Sequence, residues 1–244
     1  MAAYFDNKAV LFQHNTLGAL MEGLFAGTLS MKELLEFGNL GIGTLDDFDG
    51  ELIILDGIGY QCRTNGDVIK LSGDELVPYA AVADFDLGKA KHMQTSSVLS
   101  DKTIKLILPE MFASKNLFHA VMIKGTFTDV TVRAVPKQDR PYPRLIEASQ
   151  NQALFSEATT QGTVMGFYTP EIFANVAAPG FHLHFISDDR QFGGHLFDFN
   201  LTDGEIFWQH QDAFLQNFPT QDSDFLDQDI SLANLSDEIA EAEE

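Results

Sequence analysis

The chain has 244 residues, 45% hydrophobic and 21% charged, with a formal net charge of −21. This is a globular composition able to bury a substantial core. Its single cysteine, Cys62, excludes an intramolecular disulfide framework, and so acidic a surface repels phosphate backbones and anionic lipids, arguing against nucleic acid and membrane partners. The opening MAAYFDNKAVLFQ lacks the basic-then-apolar order of a signal peptide and no apolar run is long enough to span a bilayer, so a soluble, cytoplasmic protein is expected.

Residues 3–12 read as an opening strand. Leu17, Leu20, Met21 and Leu24 follow at helical spacing, with Gly27 as a stop, and Ser30 with Glu33 forms a capping-box pattern that opens a second helix ending near Gly38. From residue 39 the pattern becomes a β-meander: GELIILDGIGYQCRTNGDVIKL places strands around Asp-Gly and Asn-Gly turns. A strand over 78–87 and a helix that Pro109 ends come next. LFHAVMIKGTFTDVTVRAVP reads as two strands around Gly125, and GGHLFDFNLTDGEIFWQHQ as two strands joined by Asp203-Gly204. The expected fold is mixed α/β (α+β), with two sheet-based lobes of mixed β-sheets. Approximate lobes 1–136 and 153–244 are joined by the Pro-rich, polar segment 137–152 within one domain spanning 1–244. The acidic end, 220–244, has no Lys or Arg and reads as a solvated tail, although Phe225, Leu226, Ile230, Leu232, Leu235 and Ile239 suggest that part of it docks.

The sharpest signal is GFHLHFISDDRQFGGHLFDF, residues 180–199, which holds three of the seven histidines. Side chains alternate faces along a strand, so His182 and His184 point the same way, about 7 Å apart at a rise of ~3.3 Å per residue. SDDRQFGG can reverse the chain and return His195 on the adjacent strand. Three imidazoles converging from a hairpin of the C-terminal lobe suit one metal ion with open positions, zinc before magnesium or calcium. A lone histidine on an apolar strand is instead usually a satisfied core residue, and His14, His92, His119 and His210, which have no such neighbours, are left structural. Glu51, at the head of ELIIL, reads on pattern alone as a strand-edge surface residue; facing the histidines it becomes a ligand or proton donor. Arg133, among β-branched residues, is either a solvent-facing cation or a bidentate carboxylate clamp.

GIGTLDDFDGELIILDGIGYQ, VRAVPKQDRPYPRL and GFHLHFISDDRQFGGHLFDF, in this order and spacing, resemble the alpha-acetolactate decarboxylase family, as does the N-terminal LFQHNTLGALMEGLFAGTLSMKELLEFGNLG. The resemblance implies two lobes on mixed sheets, a homodimer, and one zinc ion per chain held by His182, His184 and His195. It places catalytic roles on Glu51, Thr44, Arg133 and a C-terminal glutamate, Glu241 or Glu243. The implied carboxy-lyase reaction converts the small-molecule substrate 2-acetolactate to acetoin and CO2, with zinc polarising the ketone and hydroxyl oxygens and a glutamate protonating the enediolate. The phenylalanines beside the histidines are expected to wall the metal off from water. The competing readings are a metal-dependent oxygenase or isomerase on a β-scaffold, and a non-catalytic binding protein.

Overall fold

The structure, a computed structural model, describes residues 7–230. Its strands in chain order are β1 (Val10–His14), β2 (Leu29–Ser30), β3 (Leu40–Thr44), β4 (Glu51–Leu55), β5 (Ile58–Cys62), β6 (Val68–Lys70), β7 (Leu76–Val77), β8 (Tyr79–Ala83), β9 (Lys91–Thr95), β10 (Leu99–Ser100), β11 (His119–Ala134), β12 (Ala153–Thr169), β13 (Gly180–Ser187), β14 (Gly193–His210) and β15 (Ala213–Asn217). Short helices punctuate them: α1 (Leu17–Met21), α2 (Met31–Leu34), α3 (Asp101–Ile107), α4 (Leu145–Ser149) and α5 (Ser223–Asp227). The capping box is present at α2, where Ser30 Oγ accepts from the Glu33 N–H and the Glu33 carboxylate accepts from the Ser30 N–H. Among the described residues no helix is long and apolar enough to cross a membrane.

The first sheet runs β15-β1-β8-β3-β4-β5-β6, antiparallel except for the parallel β1–β15 pair. This last strand brings the chain back from residue 213 to the N-terminal sheet, so the first sheet draws on both ends of the sequence. The second sheet is built from β11, β12, β13 and β14, and it closes on itself: β14 pairs with β11 along one edge and with β13 along the other. β9 and β10 continue that second edge of β14. The segment 137–152 connects β11 to β12, which are paired neighbours within this second sheet.

Neither Gly125 nor Asp203-Gly204 turns the chain. β11 and β14 run straight through them, and Gly162, Gly125 and Gly204 lie side by side across three strands. A Cβ on Gly125 would sit 2.2 Å from the Asp203 carbonyl oxygen. The glycines mark a close approach of backbones at the bend of a curled sheet, the alternative meaning of glycine inside a strand.

Alternation then assigns each face. Inward-pointing Phe127, Phe185 and Phe199 fill the closed sheet with edge-to-face rings, 5.4 and 5.7 Å between centroids for the Phe127 pairs. Each fully buried phenylalanine contributes about 1.5–3 kcal/mol of transfer free energy. The outward face of the same sheet, with Ala120, Met122, Met165, Phe167 and Ile186, packs against Leu11, Leu40, Ile42, Ile53 and Leu55 of the first sheet. The candidate site lies on this second interface.

Candidate metal centre

His182 and His184 share one face of β13, as period two requires. Ser187 to Phe192 reverses the chain, with the Ser187 N–H donating to the Phe192 carbonyl and Asp189 bracing the turn through Ser187 Oγ and the Gln191 N–H. β14 then places His195 directly opposite His184. The three rings lie 4.9–5.3 Å apart between centroids, and one nitrogen from each falls within 4.8 Å of the others. Two glycines permit this closeness. Gly166 on β12 and Gly194 on β14 both adopt φ of +154°, and a Cβ would meet the His182 carbonyl oxygen at 2.1 Å or the Arg133 carbonyl oxygen at 2.4 Å. Each glycine thus admits a neighbouring strand against a histidine-bearing one.

His184 is buried, and its Nδ1 lies 3.0 Å from the Leu52 carbonyl oxygen of β4. A carbonyl only accepts, so Nδ1 carries the hydrogen and Nε2 presents a lone pair. That Nε2 is buried without a hydrogen-bond partner among the described residues. Burial, followed by the charges of His182 and Arg133, holds the His184 pKa well below the ordinary histidine value, so the ring is neutral. A neutral imidazole with one nitrogen anchored on a backbone carbonyl and the other unsatisfied is the state a metal ligand requires. The histidine group can therefore hold a metal ion.

Glu51 arrives from the other sheet. It opens β4 opposite Thr44 on β3 and Cys62 on β5, and it is only 6% exposed. The surface-residue expectation for it is wrong: its own strand runs in the core, and the second sheet covers the face on which it points. Its Oε2 lies 3.8 Å from His184 Nε2. Burial and the Glu51 carboxylate push the neighbouring Cys62 thiol far above its ordinary pKa, leaving it protonated. The turn before Glu51 is tightly fixed. The Thr44 hydroxyl donates to the Gly50 carbonyl at 2.7 Å, the Gly50 N–H donates to the Val135 carbonyl at 3.0 Å, and Gly50 has φ of +74°. Thr44 thus braces the turn that aims Glu51, and Val135 ties that turn to the end of the strand carrying Arg133.

Arg133 stands opposite His195 across β11 and β14, so Arg133, His195 and His184 form one row over three strands. It is buried at 7% exposure, which removes the solvent-facing reading. Its Nη1 donates to Gln152 Oε1 at 3.0 Å, and its guanidinium carbon lies 5.2 Å from the centroid of Phe197. Glu241 and Glu243 lie outside the described residues.

The phenylalanine wall differs from expectation. Phe185, next to His184 in sequence, points into the closed sheet because adjacent strand residues face opposite ways. Phe197, two residues from His195, shares its face, with ring centroids 5.9 Å apart. Gln152, the Leu52 carbonyl and Phe197 are the neighbours that sequence reasoning missed. For Phe197 the i, i+2 spacing from His195 was an available signal; for Gln152 nothing local was.

A family model described as alpha-acetolactate decarboxylase matches residues 11–232. The alpha-acetolactate decarboxylase of Lactococcus lactis subsp. lactis is 42% identical over 96% of this chain and 98% of its own length, and that of Streptococcus thermophilus is 40% identical over 96% and 98%. Among solved structures, a Staphylococcus aureus protein described as similar to alpha-acetolactate decarboxylase superposes with a TM-score of 0.91 at 42% identity, covering 96% of this chain and 99% of its own. The alpha-acetolactate decarboxylase of Bacillus subtilis strain 168 gives 0.92 at 29% identity, over 96% and 99%.

Proposed function

The chain belongs to the alpha-acetolactate decarboxylase family, and we propose that the site between its two sheets converts 2-acetolactate to acetoin and CO2, with His182, His184 and His195 holding a zinc ion. The observation that carries this reading is the convergence of three imidazoles from one sheet with a buried carboxyl group from the other, 3.8 Å from His184 Nε2. An all-imidazole donor set suits zinc over the hard, oxygen-seeking ions. When bound, such an ion supplies Lewis-acid polarisation of the substrate's ketone and hydroxyl oxygens.

The chain's own groups divide the remaining work. In 2-acetolactate the bond between the carboxylate and the hydroxyl-bearing carbon breaks, CO2 leaves, and the electron pair passes towards the ketone oxygen to give an enediolate. Arg133 orients the departing carboxylate; it must not hold that group more tightly before the bond breaks than during it, or the barrier rises. Glu51 returns a proton to the carbon that lost CO2, and delivery from one side fixes the configuration of acetoin. Thr44 keeps the Gly50 turn in the conformation that aims Glu51. Phe197 covers the guanidinium and excludes water from that side. The family resemblance also supports a homodimer, which light scattering of the purified protein would check.

The deciding measurement is acetoin formation from racemic 2-acetolactate before chelation, after it, and after zinc is restored. Acetoin that vanishes with the metal and returns with zinc is expected. Folded, zinc-loaded protein that forms none would overturn the proposal.

A further inference from the structure

We infer that Gln152 is a positioning residue for Arg133, setting the direction of the guanidinium through an uncharged acceptor. The inference rests on the reading of Arg133 as the group that meets the substrate carboxylate. Arg133 Nη1 donates to Gln152 Oε1 at 3.0 Å, while its guanidinium carbon lies over the Phe197 ring, 5.2 Å from the centroid. A long arginine side chain has many rotamers, so a fixed hydrogen bond that pre-orients the fork reduces the ordering that substrate binding would otherwise require.

The backbone of Gln152 is suited to this. It follows α4, whose Leu145 and Ala148 are buried in the core beside α1. The Gln152 N–H donates to the Ser149 carbonyl at 3.1 Å, and the next residue, Ala153, begins β12 in register with Ala134. Gln152 is therefore anchored by a helix on one side and a strand on the other, two positions before Leu154, the residue paired with Arg133.

The chemistry of the acceptor matters as well. A glutamate of the same length would make the same contact, yet it would add a negative charge beside the cation that is to receive an anionic substrate. At low dielectric that charge competes directly with the substrate carboxylate. The amide oxygen gives direction and adds no net charge.

Binding to the zinc-loaded enzyme separates these effects. Calorimetry would compare 2-hydroxyisobutyrate, a hydroxycarboxylate with no ketone to drive loss of CO2, with acetoin, which has no carboxylate. Gln152→Leu is expected to weaken 2-hydroxyisobutyrate about tenfold, the scale of one hydrogen bond to a charged group, and to leave acetoin within about twofold. Gln152→Glu should weaken the hydroxycarboxylate further than Gln152→Leu does, and KM for 2-acetolactate should rise in both variants by more than kcat falls. Equal weakening of both ligands would mean a general structural defect and overturn the inference. So would wild-type binding in Gln152→Leu, or a Gln152→Glu enzyme that binds the hydroxycarboxylate as well as wild type. Arg133→Gln is the control: if it too binds 2-hydroxyisobutyrate normally, the reading of Arg133 fails and the inference falls with it. If it binds poorly while Gln152→Leu is normal, the inference alone fails.

Discussion

His184 Nε2 and Glu51 Oε2 face each other across the junction of the two sheets at 3.8 Å. The imidazole hydrogen is on the far nitrogen, committed to the Leu52 carbonyl, so a lone pair confronts a carboxyl oxygen. A buried carboxyl oxygen and an imidazole lone pair so placed suit a cation held between them. A metal held by the histidines would supply that cation, and the proton-donor role proposed for Glu51 can be tested beside it. Glu51→Gln keeps the shape and removes the proton transfer. Its acetoin formation should fall by about 10²- to 10⁴-fold, with bound zinc retained and the enantiomeric purity of any residual acetoin reduced. Metal analysis and chiral chromatography check this; loss of zinc from the variant would instead make Glu51 a ligand.

Zinc should also report on the histidines through stability. A ligand that binds only the folded state adds about 2.7 kcal/mol when its concentration is a hundred times Kd, so the wild-type melting temperature should rise with added zinc. His184→Ala removes one of three donors and the link to Leu52, and its melting temperature should respond little. A variant that still gains the full zinc-dependent increment would show that the stabilising ion binds elsewhere.

Gly194 sets where His195 stands. Its φ of +154° disfavours any side chain, and a Cβ there would overlap the Arg133 carbonyl at 2.4 Å. Gly194→Ala must push β14 from β11 where His195 and Arg133 stand opposite each other. The expected cost is upwards of about 2 kcal/mol in unfolding free energy, together with weaker zinc binding. Denaturant unfolding and zinc titration measure the two effects; wild-type zinc affinity would show that the backbone shift stops short of His195.

The histidines were legible because their signal is local. Period two puts His182 and His184 on one face, and a short polar turn returns His195. Glu51 was misread for the opposite reason. ELIIL shows a buried strand but not that a second sheet, whose histidine strand begins only at Gly180, lies over its carboxylate. Gly125 and Gly204 resemble turn glycines in sequence, and only their alignment with Gly162 across three strands reveals a bend. Gln152 meets Arg133 through the path of α4, which no motif announces. What depends on spacing within one or two strands could be read, and what depends on how the two sheets dock could not.

His119, outside the metal centre, should make the fold sensitive to acid. It is 1% exposed, stacks on Phe112 with ring centroids 3.8 Å apart, and burial lowers its pKa from 6.5 to about 4. Its Nδ1 is 2.9 Å from the Leu117 carbonyl, so that nitrogen donates and the buried ring is neutral. Above pH 6.5 neither the folded nor the unfolded chain protonates this ring, and its full contribution is present. Between pH 6.5 and about 4 the unfolded chain takes up a proton that the folded chain refuses, so stability falls as pH falls. At pH 5 the loss from this one group is about 2 kcal/mol. His119→Phe keeps an aromatic ring against Phe112 and removes the titration. Its unfolding free energy should therefore drop less than that of wild type between pH 7 and pH 5, by about that amount. Denaturant melts of both proteins at the two pH values provide the comparison. Parallel losses in the two proteins would show that His119 does not carry the acid sensitivity.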